Sequence, residues 1–121
     1  MTLTNRQGKF KRVNKHIAAG VLLASVSMTA QSASIAGTIT RTLSDGQNYG
    51  GCMIQLSKEI GSGCSANWVS LDCKGGYSSA GERNYASALM AFSLNKSVSV
   101  YFDPTKTYNT YCVVTRVDVL Q

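Results

Sequence analysis

Cys52, Cys64, Cys73 and Cys112 are all the cysteines of a 121-residue chain, an even number separated by 11, 8 and 38 intervening residues. Structural zinc sites use close pairs of the Cys-x2-Cys kind, and no such pair is present. In a short chain destined for an oxidising compartment the same count reads as a disulfide framework. Two bridges are therefore expected, and a chain so stapled can fold around a core too small to hold alone.

The N-terminus supplies the oxidising context. Arg6, Lys9, Lys11, Arg12 and Lys15 stand among the first sixteen residues without an acidic one, and Ile17 to Ala30 is a run of small or apolar residues. This is the order of a secretory signal. The run spans 14 residues, against roughly 20 for a membrane-spanning helix. Small residues around Gln31 predict a signal peptide over 1–32 and a mature domain over 33–121, with cleavage at Ser32/Ala33 or, one residue on, Ala33/Ser34. The first cysteine is Cys52, too distant for a lipoprotein anchor. The expected location is secreted or periplasmic, with no stable membrane insertion after processing.

The leader also accounts for the basic charge. The chain carries +6 overall, but five of its twelve Lys and Arg residues lie before Ile17. The remainder has seven basic and six acidic residues, too balanced for a surface that tracks phosphates. A nucleic-acid partner is not expected.

Hydrophobic periodicity sets the element order. Ile35, Ile39 and Leu43 alternate with Thr38, Thr40 and Thr42, and Cys52, Ile54 and Leu56 share a face beyond the turn cluster Asp45-Gly46-Gln47-Asn48. Trp68 to Cys73 alternates again, with Val69, Leu71 and Cys73 on one side. These are three strands by period-two patterning. Tyr85, Ala88, Leu89 and Phe92 then recur at helical spacing, with Ser79 and Glu82 in capping-box positions, which predicts a helix over 82–94 directing Tyr85, Leu89 and Phe92 inward. Val98, Val100 and Phe102 begin a fourth strand, Pro104 falls in a polar turn, and Tyr111 to Leu120 forms a fifth with Val113, Thr115, Val117 and Val119 on one face.

The order β-β-β-α-β-β is that of a mainly β, five-stranded, OB-like partly open barrel with one helix and two disulfides. A flat antiparallel sheet with the helix on one face is the rival. If Leu56 faces Val69 across the loop 58–67, the antiparallel register sets Cys52 opposite Cys73 and leaves Cys64 for Cys112.

The lone histidine, His16, lies in the leader, so a mature domain has no base for a Ser-His-Asp or Cys-His system and no His ligand for a metal. No metal or cofactor is expected. Asp45, Glu59, Asp72, Glu82, Asp103 and Asp118 supply carboxylates in no diagnostic motif. Trp68, Tyr77, Tyr101, Tyr108 and Tyr111, at or beside strand ends and loops, form the candidate binding surface, because a ring with a polar edge stacks on a sugar or packs a partner.

The residues Cys64, Trp68, Val69 and Leu71, the helix alanines Ala88 and Ala91, the strand Lys96-Ser97-Val98-Ser99-Val100-Tyr101 and the segment Cys112 to Val119 resemble those of small exported proteins of γ-proteobacteria. They are faintly similar to the OB-fold B subunits of AB5 toxins, of the subtilase-cytotoxin and pertussis-like type. That resemblance implies a glycan or protein binder and leaves room for a homo-oligomer, with no binding residue carried over. The expectation is an exported, non-catalytic module for a glycan or partner protein; a small secreted hydrolase or hydrolase inhibitor, using Asp72 or Glu82, is the alternative.

Overall fold

The computed structural model describes residues 23–25 and 32–121; the leader expected over 1–32 lies almost wholly outside them. Five strands and one helix follow: β1 (Ala33–Ser44), β2 (Cys52–Leu56), β3 (Trp68–Ser70), α1 (Gly81–Ser93), β4 (Ser97–Tyr108) and β5 (Tyr111–Val119). The strands close into a barrel in the order β1-β2-β3-β5-β4, the OB-like arrangement that the element order predicts, and the flat sheet is excluded. All pairings are antiparallel except β3 with β5, which meet in the single parallel bridge Ser70↔Val113.

Alternation fills the interior. Ile54, Leu56, Val69, Leu71, Val98, Val100, Phe102 and Val114 are fully buried inside the ring, with Phe102 the largest of them. Two bulges change which side chains point there. The β1–β2 register shifts between Ile39 and Arg41, so the extra residue Thr40 reverses the faces. Thr42 then lies opposite the inward Ile54, and Leu43, which alternation groups with Ile35 and Ile39, pairs with Met53 on the outer surface. A second shift lets Phe102 face Val114 and Val100 face Val117. Val114 and Val117 are therefore both inward, contrary to strict alternation. A bulge inserts one unpaired residue and swaps every side chain beyond it.

Pro104 does not end β4. The strand runs on to Tyr108 past an irregular stretch between Asp103 and Thr107, and a proline is tolerated where no ladder bond needs its missing N–H. The β4–β5 turn consists of Asn109 and Thr110, both at positive φ (50° and 71°) between the paired Tyr108 and Tyr111. This is the two-residue hairpin geometry of a type I′ turn.

Both disulfides are as expected: Cys52–Cys73 with Cα atoms 5.6 Å apart and Cys64–Cys112 at 5.4 Å. The first forms by a different route from the one the register argument supposed. Val69 lies opposite Ile54, not Leu56, and Leu71 donates its N–H to the Cys52 carbonyl. β3 ends at Ser70, and Asp72 at φ 58° turns the chain so that Cys73 comes back onto Cys52.

The helix packs on a face rotated from the one its hydrophobic stripe indicates. Gly81, Ala88 and Ala91 are its buried residues, while Leu89 and Phe92 are 36% and 42% exposed. Close approach decides this: a Cβ on Gly81 would collide with the backbone carbonyls of Leu71 and Asp72. Only a small-residue face seats that near the barrel, and Tyr85 at its flank reaches the Leu43 carbonyl with its hydroxyl (3.3 Å). Nor does a capping box form, since Ala80 is the N-cap and no side chain bonds there. Leu89→Ala should consequently cost less than about 1 kcal/mol, against about 2 to 5 for a buried leucine. Ala91→Leu should cost about 1 to 3 kcal/mol by overpacking. Urea midpoints of the two variants check the rotation, and the reverse ranking would refute it.

Candidate functional site

The bulge at Thr40 creates an outer face with aromatic and aliphatic content. Arg41, Gln55 and Trp68 form one cross-strand row, and Leu43, Met53, Ser70 and Val113 the next. Met53 is only 2% exposed although it lies outside the barrel core. With Leu43, Tyr49, Trp68 and Tyr111 it lines a cleft of about 190 Å³. Leu43 and Met53 are the aliphatic residues there, and the three aromatic rings complete the wall. Drug-sized ligands occupy pockets of roughly 300 to 1,000 Å³; this one has room for a single ring or side chain.

Each wall is fastened. Tyr111 begins β5, next to the strained turn residue Thr110, whose hydroxyl meets that of Ser65 and whose carbonyl accepts the Ser65 N–H (3.3 Å). Cys112, one residue on, is bridged to Cys64. Tyr49 comes from the β1–β2 loop and meets the Tyr111 ring edge-on at 5.6 Å. Its carbonyl accepts the Ser70 hydroxyl (2.7 Å), and the neighbouring Asn48 carbonyl accepts the Asn109 side-chain amide (2.8 Å). Over the Trp68 ring lies the Arg41 guanidinium, 5.3 Å from the centroid, within cation–π range.

Behind the loop sits a second cluster, centred on Asp72. Its carboxylate is fully buried and accepts five hydrogen bonds. The N–H groups of Gly75 and Gly76 (3.1 and 3.0 Å) and the Tyr108 hydroxyl (2.7 Å) reach Oδ1, and the N–H groups of Tyr77 and Ser78 (2.8 Å each) reach Oδ2. Burial pushes this carboxyl upward, but the Tyr108 hydroxyl and the N–H groups of Tyr77, Ser78 and Gly76 outweigh it and hold it below its ordinary value. The same contact acts in reverse on Tyr108: burial, then the bond to Asp72, pushes the phenol up to about 12. The Tyr108 ring in turn lies where a Cβ on Gly50 would be, which places glycine at φ +78° beside Tyr49.

Of the aromatic residues singled out by sequence, Trp68 and Tyr111 thus meet in the cleft. Tyr77 and Tyr108 pack edge-on at 5.2 Å over the Asp72 cluster instead. Tyr101 is elsewhere, under the Arg116 guanidinium at 4.9 Å, which itself pairs with Asp118. Leu43, Tyr49 and Met53 were not anticipated as lining residues. For Tyr49 a sign existed, an aromatic residue followed by Gly50-Gly51 at a hairpin tip. For Leu43 and Met53 none did, because strict alternation assigns Leu43 to the core.

Three of the six carboxylates considered for acid–base chemistry, Asp72, Asp103 and Asp118, are engaged, and none of the six lines the cleft. Asp72 has no free lone pair for a substrate proton, Asp103 accepts from the Thr105 hydroxyl and N–H (2.7 and 2.9 Å), and Asp118 holds Arg116. Among the described residues no cluster of His, Cys, Asp and Glu could hold a metal ion, and no helix is long and apolar enough to cross a membrane. Comparison with protein families, curated proteins and solved structures finds no match to this chain.

Proposed function

We propose that this protein is an exported, non-catalytic binding module, secreted or periplasmic, whose ligand enters the cleft between Tyr49, Trp68 and Tyr111. The observation that carries the reading is the cleft itself: aromatic walls on an aliphatic floor, braced from behind by hydrogen bonds and a disulfide. Ring faces held rigid before binding lose little entropy when a ligand arrives. The cleft also lies on the β2–β3 face, between the β1–β2 and β4–β5 loops, the region where OB barrels take oligomeric ligands; as fold-level analogy this supports binding and does not choose the ligand. The AB5 B-subunit resemblance supports the same class, a glycan or partner protein.

Trp68 is the only tryptophan, so fluorescence excited selectively at tryptophan, and not at the six tyrosines, reports on the cleft. A ligand found by glycan array or by pull-down from envelope extract should change that emission. Trp68→Ala should weaken its binding by roughly tenfold or more, about 1.4 kcal/mol or above, as truncating an aromatic anchor does. Retained affinity in a folded Trp68→Ala variant would move the site elsewhere.

Export predicts a mature N-terminus at Ala33. β1 starts at that residue, which pairs with Phe102, while Ser32 is exposed and outside the ladder. Cleavage at Ser32/Ala33 keeps every β1 pair. N-terminal sequencing of the exported protein reads the cut, and a retained Met1 there would count against processing.

A further inference from the structure

We infer that the occupant of the cleft is a peptide segment of a partner protein, one apolar side chain seated on Met53 with a carboxylate beside it that meets Arg41. The inference rests on the reading of the cleft as a binding site and names what it takes.

Two observations separate a side chain from a sugar. The lining side chains offer as polar groups only the Tyr49 and Tyr111 hydroxyls and the Trp68 indole N–H; the floor is Leu43 and Met53. A sugar ring carries hydroxyls around its rim, and burying them without partners costs about 1 to 3 kcal/mol each. An apolar side chain meets no such penalty. The volume of about 190 Å³ suits one such group, and a methionine floor adapts its shape to different apolar anchors.

The charge beside the cleft adds the second element. Arg41 is exposed, lies over Trp68, and has no carboxylate within ion-pair distance among the described residues. The other guanidinium pressed against an aromatic ring, that of Arg116, is neutralised by Asp118 at 2.7 Å. Arg41 keeps its charge available at the edge of a cleft whose lining is otherwise uncharged. A guanidinium pairs with a carboxylate through two parallel N–H bonds, and its fixed position on Trp68 sets where along the peptide that carboxylate must lie.

The test uses the purified, oxidised protein and fluorescein-labelled peptides with a central Phe or Leu flanked by Asp in one series and by Lys in the other. Affinity is read by anisotropy and cleft occupancy by Trp68 emission. The Asp series should bind about tenfold tighter, with the gap narrowing as salt is raised. Arg41→Gln should abolish the preference and Arg41→Glu should invert it, both variants keeping the parent urea midpoint. Equal affinity of the two series, or a preference that Arg41→Glu leaves in place, overturns the inference. So does a neutral or acidic oligosaccharide that changes Trp68 emission while no peptide does, an outcome that would leave the cleft's binding role standing. If neither peptides nor oligosaccharides alter Trp68 emission, the binding role falls with it.

Discussion

Asp72→Asn should destabilise the domain by about 3 kcal/mol, because the change removes a charge from a buried acceptor and turns an amide N–H2 toward backbone donors. All five donors now aim at a carboxylate, and no rotamer of asparagine accepts at both oxygen positions. The wild type and the variant should also respond differently to acid. The Asp72 carboxyl lies below its unfolded value of 3.8. Its stabilising contribution is then complete above about that pH and is lost as pH falls through the lower folded value. The Asn variant lacks this component, so the difference in stability should shrink on acidification below 3.8. Urea titrations at neutral pH and near pH 3 measure it; a gap that is unchanged would show that the carboxylate's charge is not what the cage recognises. Asp103→Asn is the control, since that carboxylate is bonded only to Thr105 and Lys106 within its own irregular stretch of β4 and should cost less than about 1 kcal/mol.

Removing the Cys64–Cys112 bridge, by Ala at both positions, should cost about 4 kcal/mol. In the chain-entropy description a closed loop spanning 48 residues restricts the unfolded chain by about that amount, and one spanning 21 by about 3. The longer bridge also acts locally: it joins the loop before Trp68 to the start of β5, so both sides of the cleft adjoin it. Its loss should lower ligand affinity at temperatures where the domain is still folded, whereas removing Cys52–Cys73 should act chiefly on stability. Unfolding midpoints and Trp68 emission of the two double variants separate these effects. Equal losses of affinity would show that the cleft depends on overall stability only.

The barrel was legible because strand patterning, the helical interruption and the cysteine count all constrain the same order of elements. Sequence did not reveal the faces. Thr40 is one threonine among several in β1, and nothing in its neighbours marks it as the unpaired residue of a bulge; yet that one insertion sends Leu43 out and opens the floor of the cleft. The helix misled for a related reason. Tyr85, Leu89 and Phe92 form the stronger hydrophobic stripe, but the contact is set by how near Gly81 comes to the Leu71 and Asp72 carbonyls, a distance that periodicity does not encode. In the sequence Asp72 reads as a residue of the third strand and, with Glu82, as a carboxylate a hydrolase could use. Its five donors arise from backbone that folds around it, visible only once Gly75 to Ser78 are placed.

The ladder that closes the barrel joins Ala33 to Phe102 and Thr38 to Ser97. A chain emerges from its N-terminus onward, so the first strand made waits for the fourth, and its far edge stays open through most of the chain's appearance. Loops of that length close slowly relative to a hairpin. On the export proposed above, Cys52, Cys64 and Cys73 have by then all entered an oxidising compartment while Cys112 has not. Two of the three belong together, and the third has no correct partner yet. Timing, as much as geometry, then decides whether Cys64 is still free when β5 arrives.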